Sequence, residues 1–186
     1  MKFSGKVWVF GDDLNTDAMY PGFAMKMDPP EAAKHIFYEV RPGWTGEVSA
    51  GDIVMAGKNF GVGSSREAAV YALVDYGIRC VVATSFGDIF AGNAVNNGLV
   101  AAIVTEEDVE KLLSAVEQTG RAEVDLEEQT IKSGNYVVPF TIDAARRTRL
   151  LNGWDDLDLT AQYKDRIAAF AAKDQAARPW AVPANT

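Results

Sequence analysis

Short apolar runs alternate with segments of helical period along the first two thirds of the chain. "KVWVFG" (6–11), "GDIVMAG" (51–57), "IRCVVATS" (78–85) and "LVAAIV" (99–104) are rich in Val, Ile and aromatics and predict strands, the third buried. Between them, "EAAVYALVDYG" places Ala69, Leu73 and Tyr76 on one helical face, with Gly77 where a C-terminal cap falls. "FGDIFAGNAVNNG" reads as a helix closed by Gly98. Thr105 caps "EEDVEKLLSAVEQTG", whose acids crowd its N-terminal end and which Gly120 follows. The order β–loop–α–β–α–β–α predicts one to two βαβ units on a parallel sheet.

The pattern then changes. "AEVDL", "TIK" and "YVVPFTI" are short strand runs, and "SGN" makes a hairpin turn between the last two, which adds antiparallel character. Two tail segments, "DAARRTRLLNG" and "LTAQYKDRIAAFAAKDQAA", read as helices. In the second, Tyr163, Ile167, Phe170 and Ala171 form an apolar stripe expected to pack on its own domain or on a partner. Residues 12–30 have no period and read as a long loop, a usual place for function. "PEAAKHIFYEV" follows as a short helix with Asp28 or Pro29 near its start. The expectation is an α/β fold with a mixed, mainly parallel sheet and C-terminal helices. One domain covers 1–186, with 142–186 as a helical extension.

Composition narrows the chemistry. The net charge of −8 argues against nonspecific nucleic-acid binding, which needs Lys and Arg to displace phosphate counterions. A single cysteine, Cys80, cannot form an internal disulfide and fits a reducing compartment. With His35 the only histidine, a Cys/His metal site cannot be built, so a soft metal or iron–sulfur centre would need ligands mostly from another chain. The N-terminal segment lacks the apolar core of a signal peptide, and "GLVAAIV" is far short of a membrane span. These features predict a soluble cytoplasmic protein.

"KNFGVGSSREAAVYAL" (58–73) holds the sharpest chemistry. Its glycines allow backbone N–H groups to approach a ligand, and the helix behind them directs its positive end to the same place. Ser64 and Ser65 add hydroxyls, and Arg66 a planar fork suited to carboxylate or phosphate. A P-loop would need Gly-Lys-Ser/Thr after the glycines, and a dinucleotide fingerprint a third glycine where Arg66 stands. Spacing alone fits equally an anion site and a plain strand-to-helix turn.

Three separated stretches together resemble the small, swivelling domain of the aconitase superfamily. They are Gly61, Gly63, Ser64, Ser65, Arg66 and Glu67; then Ser85, Phe86, Ile89, Asn93, Gly98 and Leu99; and the loop "GDDLNTDAMYPG" at 11–22. The tail from "LLNGWDDLDLT" onward resembles the end of bacterial 3-isopropylmalate dehydratase small subunits, so the likeness covers nearly the whole chain. It implies a swivelling β/β/α domain and a hydro-lyase that dehydrates and rehydrates a hydroxy-dicarboxylate together with a large subunit. That large subunit would hold a 4Fe-4S cluster, and this chain would bind no cofactor or metal itself.

By position, the resemblance makes Ser64 the proton-abstracting base and Arg66 the carboxylate clamp, supported by Gly63 and Ser65. It matches Asp17, with Thr16, to an acidic active-site position; by residue type alone Asp17 is a turn former. Lys26 fits a second substrate cation and a solvated lysine equally. Three positions depart from the family pattern: Val62 replaces a common Cys, Ala68 a common His, and Phe23, Ala24 and Met25 a common Arg-Tyr-Leu in the specificity loop. These bear on substrate, leaving methylmalate, dimethylmalate or homoaconitate beside isopropylmalate. Of other classes, a stand-alone anion-binding module or an inactive partner protein remains as the alternative.

Overall fold

Continuous burial in the short central strands and partial alternation in the antiparallel ones build the sheet. The computed structural model describes residues 1–63 and 66–181. β1 (Lys2–Val9), β2 (Ile53–Met55), β3 (Cys80–Ala83) and β4 (Val100–Ile103) run parallel. β5 (Arg121–Asp125), β6 (Thr130–Ser133) and β7 (Tyr136–Pro139) continue antiparallel from the other side of β1. The order of the seven strands is β4-β3-β2-β1-β5-β6-β7, so the mixed α/β sheet expected from the sequence is present.

Register aligns the faces. Val7, Ile53, Cys80 and Val100 stand in one row, and Trp8, Val54, Val81 and Ala101 in the next. The first row packs against Leu112 and Val116 of α6 (Glu106–Thr119), against Val124, Ile131 and Val138 of the antiparallel strands, and against Leu150 of α7 (Ala144–Asn152). The second row packs against α2 (Pro29–Ala33), α4 (Glu67–Asp75) and α5 (Asp88–Asn96) through Ala33, Leu73 and Ala94. Both faces of the parallel half are therefore covered, which is why its strands read as short apolar runs. Each fully buried Leu or Ile stabilises the fold by roughly 1.5–3 kcal/mol.

Helix ends follow their sequence signals. After α4, the Ile78 N–H donates to the Leu73 carbonyl at 3.0 Å and the Gly77 N–H to that of Val74 at 2.9 Å. This double closure requires the left-handed backbone that Gly77 adopts, φ +81°. The Thr105 hydroxyl accepts from the Asp108 N–H at the start of α6. Gly120 ends that helix, as read from the sequence.

The structure differs from the sequence reading in several places, among them the short helix expected over 30–40, which is helical only at Pro29–Ala33. β1 begins at Lys2, earlier than the apolar run, because residues 2–6 pair with β5. The stretch 12–30 contains α1 (Thr16–Met19) and a 3-10 turn over Ala24–Lys26, both too short to show a period. The second tail helix is two helices, α8 (Asp156–Ala161) and α9 (Lys164–Ala177), with Asp155 and Asp158 forming a capping box at the start of α8. α3 (Trp44–Glu47) completes the helices.

The chain divides into two compact units, Met1–Asn152 and Gly153–Thr186. α7, the first part of the expected tail, lies in the first unit. In the second unit no residue of α9 is buried, and Tyr163, Ile167 and Phe170 of the apolar stripe are exposed. Among the described residues, no helix is long and apolar enough to cross a membrane.

Candidate functional site

The loops after β1, β2 and β3 meet beyond the carboxyl ends of those strands, where open α/β sheets place their ligands. The segment 60–63 is their common rail. On one side, the Gly61 N–H donates to the Leu14 carbonyl at 2.8 Å and the Thr16 N–H to the Val62 carbonyl at 3.0 Å. On the other, the Phe60 N–H donates to the Ser85 carbonyl at 3.0 Å and the Gly87 N–H to the Phe60 carbonyl at 2.9 Å. The three stretches singled out in the sequence thus form one ledge.

Close packing explains the glycine at 61. Its φ is +72°, and a Cβ there would stand 2.3 Å from the ring of Phe90, itself buried. Gly63, at φ +106°, backs onto Asn15 and Thr16. Thr16 is buried and Val62 exposed. Ser64 and Ser65, expected as base and supporting hydroxyl, lie outside the described residues.

Arg66 is fixed from the first loop. Its Nε stands 3.0 Å from Asp17 Oδ1, and its Nη1 donates to the Tyr20 carbonyl at 2.6 Å. Its Nη2 lies 3.9 Å from where a Cβ on Gly22 would stand. The side chain of Arg66 is only 21% exposed against 58% for Asp17, so the guanidinium is the sheltered partner. Two contacts orient the fork, and Arg66 and Asp17 are brought together as one unit.

The rest of the first loop is mixed. Lys26 is exposed on the 3-10 turn. Phe23 is also exposed; its ring packs edge-on against His35 at 5.0 Å and Tyr38 at 6.0 Å. Ala24 is fully buried and Met25 exposed. The segment expected as a specificity loop therefore presents Phe23 and Met25 and anchors itself through Ala24.

A polar network under the ledge escaped the sequence reading. Asn59 Nδ2 donates to Asp13 Oδ1 at 2.7 Å, and the Asn59 N–H to Ser85 Oγ at 2.8 Å. The Lys58 N–H donates to Asp12 Oδ1 at 2.9 Å. Asp13 and Asn59 both have positive φ, +55° and +56°, the conformation that Asp and Asn tolerate best after glycine. Those two residue types, each beside a glycine-bearing turn, were the available signal. Lower down, Asn97 Nδ2 donates to Glu67 Oε1 at 3.2 Å, tying the start of α4 to the end of α5.

Cys80 is buried in the sheet, and burial pushes its thiol far up, away from the thiolate a metal or cluster needs. Among the described residues no group of three or more His, Cys, Asp and Glu stands where it could hold a metal ion.

Comparison with known proteins bears on the family and the fold. The sequence pattern of the aconitase C-terminal domain family matches residues 23–107. A 3-isopropylmalate dehydratase small subunit of Afipia carboxidovorans is 50% identical over 131 residues, covering 69% of this chain and 65% of that protein. The like-named protein of Mycobacteroides abscessus is 51% identical over 131 residues, covering 69% of this chain and 64% of that one. The matched part thus spans just under two thirds of the length of these curated relatives. The crystal structure of a 3-isopropylmalate dehydratase from Methanocaldococcus jannaschii superposes with a TM-score of 0.74 at 31% identity, covering 91% of this chain and 99% of that one. Agreement in sequence and fold means that the chain belongs to the family of 3-isopropylmalate dehydratase small subunits, built on the aconitase C-terminal domain.

Proposed function

We propose that this chain is the small subunit of a hydro-lyase of the 3-isopropylmalate dehydratase type, working on a hydroxy-dicarboxylate with a large iron–sulfur subunit. The observation that carries the reading is the convergence of three loops on one ledge, with Arg66, two residues after Ser64 in the sequence, held by Asp17 and Tyr20. Dehydration needs a proton taken from one carbon and a hydroxyl lost from its neighbour. This chain supplies the first, through Ser64. A serine is a poor base in water and needs backbone N–H groups and a cation to hold negative charge. Gly63, Ser65 and the first turn of α4 adjoin Ser64 in sequence and are the donors assigned to it here. Arg66 grips a substrate carboxylate, Asp17 and Thr16 hold the loop that aims it, and Lys26 adds a second cation at the rim.

Departure of the hydroxyl is the partner's part. The residues of this chain do not fit an iron–sulfur cluster, since Cys80 is sealed in the core, and the resemblance assigns a 4Fe-4S group to the large subunit. Val62 on the ledge and Ile89 in the first turn of α5, 38% and 51% exposed, are large apolar side chains that suit coverage by that partner. A chain with one buried thiol also suits the reducing cytoplasm.

The test is reconstitution. This chain mixed with its large subunit converts 3-isopropylmalate, and Ser64→Ala abolishes turnover with an unchanged circular-dichroism spectrum. Arg66→Lys keeps the charge and loses the fork, and lowers kcat/KM by about 10–100-fold, the loss of one charge-assisted hydrogen bond. Turnover that survives Ser64→Ala overturns the serine mechanism.

A further inference from the structure

The loops after β1 and β2 both pass through a backbone conformation that side chains resist. Among the described residues four that are not glycine have positive φ, and two of these, Asp13 and Asn59, are bonded to each other. The Asp13 N–H donates to the Lys58 carbonyl at 2.8 Å, and Asn59 Nδ2 donates to Asp13 Oδ1 at 2.7 Å. Beyond this point the two loops pair again, Gly61 with Leu14 and Thr16 with Val62. The third loop joins at the same residue, because the Asn59 N–H donates to Ser85 Oγ at 2.8 Å.

Two ties therefore hold the first loop to the second. Asp13 on Asn59 is the near one; Asp17 and the Tyr20 carbonyl on Arg66 are the far one. Ser64 lies between Asn59 and Arg66 in the sequence. Asp13 and Asn59 are exposed, so their bond carries little of the global stability. What it fixes is the register at which the first loop meets the second. A slip there moves Asp17, one helical turn further along the first loop, away from Arg66.

We propose that Asn59, through Asp13, is a positioning residue for the reaction: it locks the register of the first two loops and so brings Asp17 to Arg66. The assignment rests on the hydro-lyase reading and adds to it a residue that acts through the clamp. The pairing needs one donor and one acceptor. A carboxylate at position 13 can only accept, and the amide at position 59 supplies the donor. Exchanging the two side chains keeps that complement, and both residue types tolerate the left-handed backbone.

The experiment uses the assembled enzyme and 3-isopropylmalate. Asn59→Asp sets two carboxylates against each other. It lowers kcat/KM by about 10–100-fold, the order for a misplaced catalytic group, with a urea midpoint close to wild type. The double exchange, Asp13→Asn with Asn59→Asp, restores the pair and most of the activity. Asn59→Gly keeps the left-handed backbone, loses the amide and lowers kcat/KM in the same direction. Unchanged kcat/KM in both single variants, a loss that only follows a fallen midpoint, or a double exchange as poor as Asn59→Asp overturns the proposal. A second readout, on the full chain, needs no turnover. The ¹⁵N–¹H signal of Arg66 Nε, identified by its loss in Arg66→Lys, moves towards those of exposed arginines in Asn59→Asp and returns in the double exchange. A signal that stays in place overturns the proposal. Wild-type enzyme that does not convert 3-isopropylmalate defeats the hydro-lyase reading instead, and the Arg66 signal then judges the tie alone.

Discussion

Single residues at the ledge carry constraints out of proportion to their size. Gly61 is the clearest: its left-handed backbone and its contact with Phe90 leave no room for a methyl group. Gly61→Ala adds about 1–2 kcal/mol of backbone cost and about 1–3 kcal/mol of overpacking. The midpoint of urea unfolding should fall accordingly, and a midpoint unchanged from wild type would contradict this packing. Much at this scale was legible in the sequence. Gly61, Gly63 and Arg66 stood out by type and spacing and Asp17 through the family resemblance, and the structure joins Arg66 and Asp17 in an ion pair. The Asp13–Asn59–Ser85 network was not legible, because its members are far apart in sequence and meet only once the three strands are parallel. The Tyr20 contact was hidden for a different reason: it uses a main-chain carbonyl, to which side-chain identity gives no clue.

At the level of elements, the antiparallel pairing of β1 with β5 has an electrostatic anchor. Lys2 Nζ lies 3.0 Å from Asp125 Oδ2, and the N–H groups of Glu127 and Glu128 donate to Asp125 Oδ1. The Lys2 hydrogen bond, aided by those N–H groups and opposed by burial, holds the Asp125 carboxyl below its ordinary value of 3.8. A depressed carboxyl stabilises the fold fully above that ordinary value and loses its contribution as pH falls through the lower folded value. Asp125→Asn should therefore unfold at lower urea than wild type near about pH 6, with the gap closing towards about pH 3. A gap that stays constant with pH would assign the loss to packing instead. The same pairing shows why the start of β1 was misread. Lys2, Ser4 and Gly5 have no strand character of their own and are strands because β5 lies opposite. The central strands were read correctly because burial on both faces leaves an uninterrupted apolar run. The break between α8 and α9 was missed because its neighbours are good helix formers on both sides.

On the scale of the whole molecule, the apolar core and the second unit are separable in sequence. Every buried apolar residue among those described falls at or before Leu150. A chain ending at Asn152 should keep the cooperative unfolding and urea midpoint of the full chain, since the unit Met1–Asn152 contains all seven strands and both core faces. A shortened chain that unfolds non-cooperatively would show that the tail is needed for that core.

The central place of β1 also sets a timetable. It is synthesised before both of its neighbours, β2 at Ile53–Met55 and β5 at Arg121–Asp125. On a ribosome adding about 5–20 residues each second, β1 spends seconds with one side unpaired, long after β2 is available. During that interval Phe3 to Lys6 present a bare edge to other nascent chains or to chaperones. The polar residues that blur the start of this strand, Lys2, Ser4 and Lys6, are suited to that wait: they keep the edge soluble until Arg121 to Asp125 arrive to cover it.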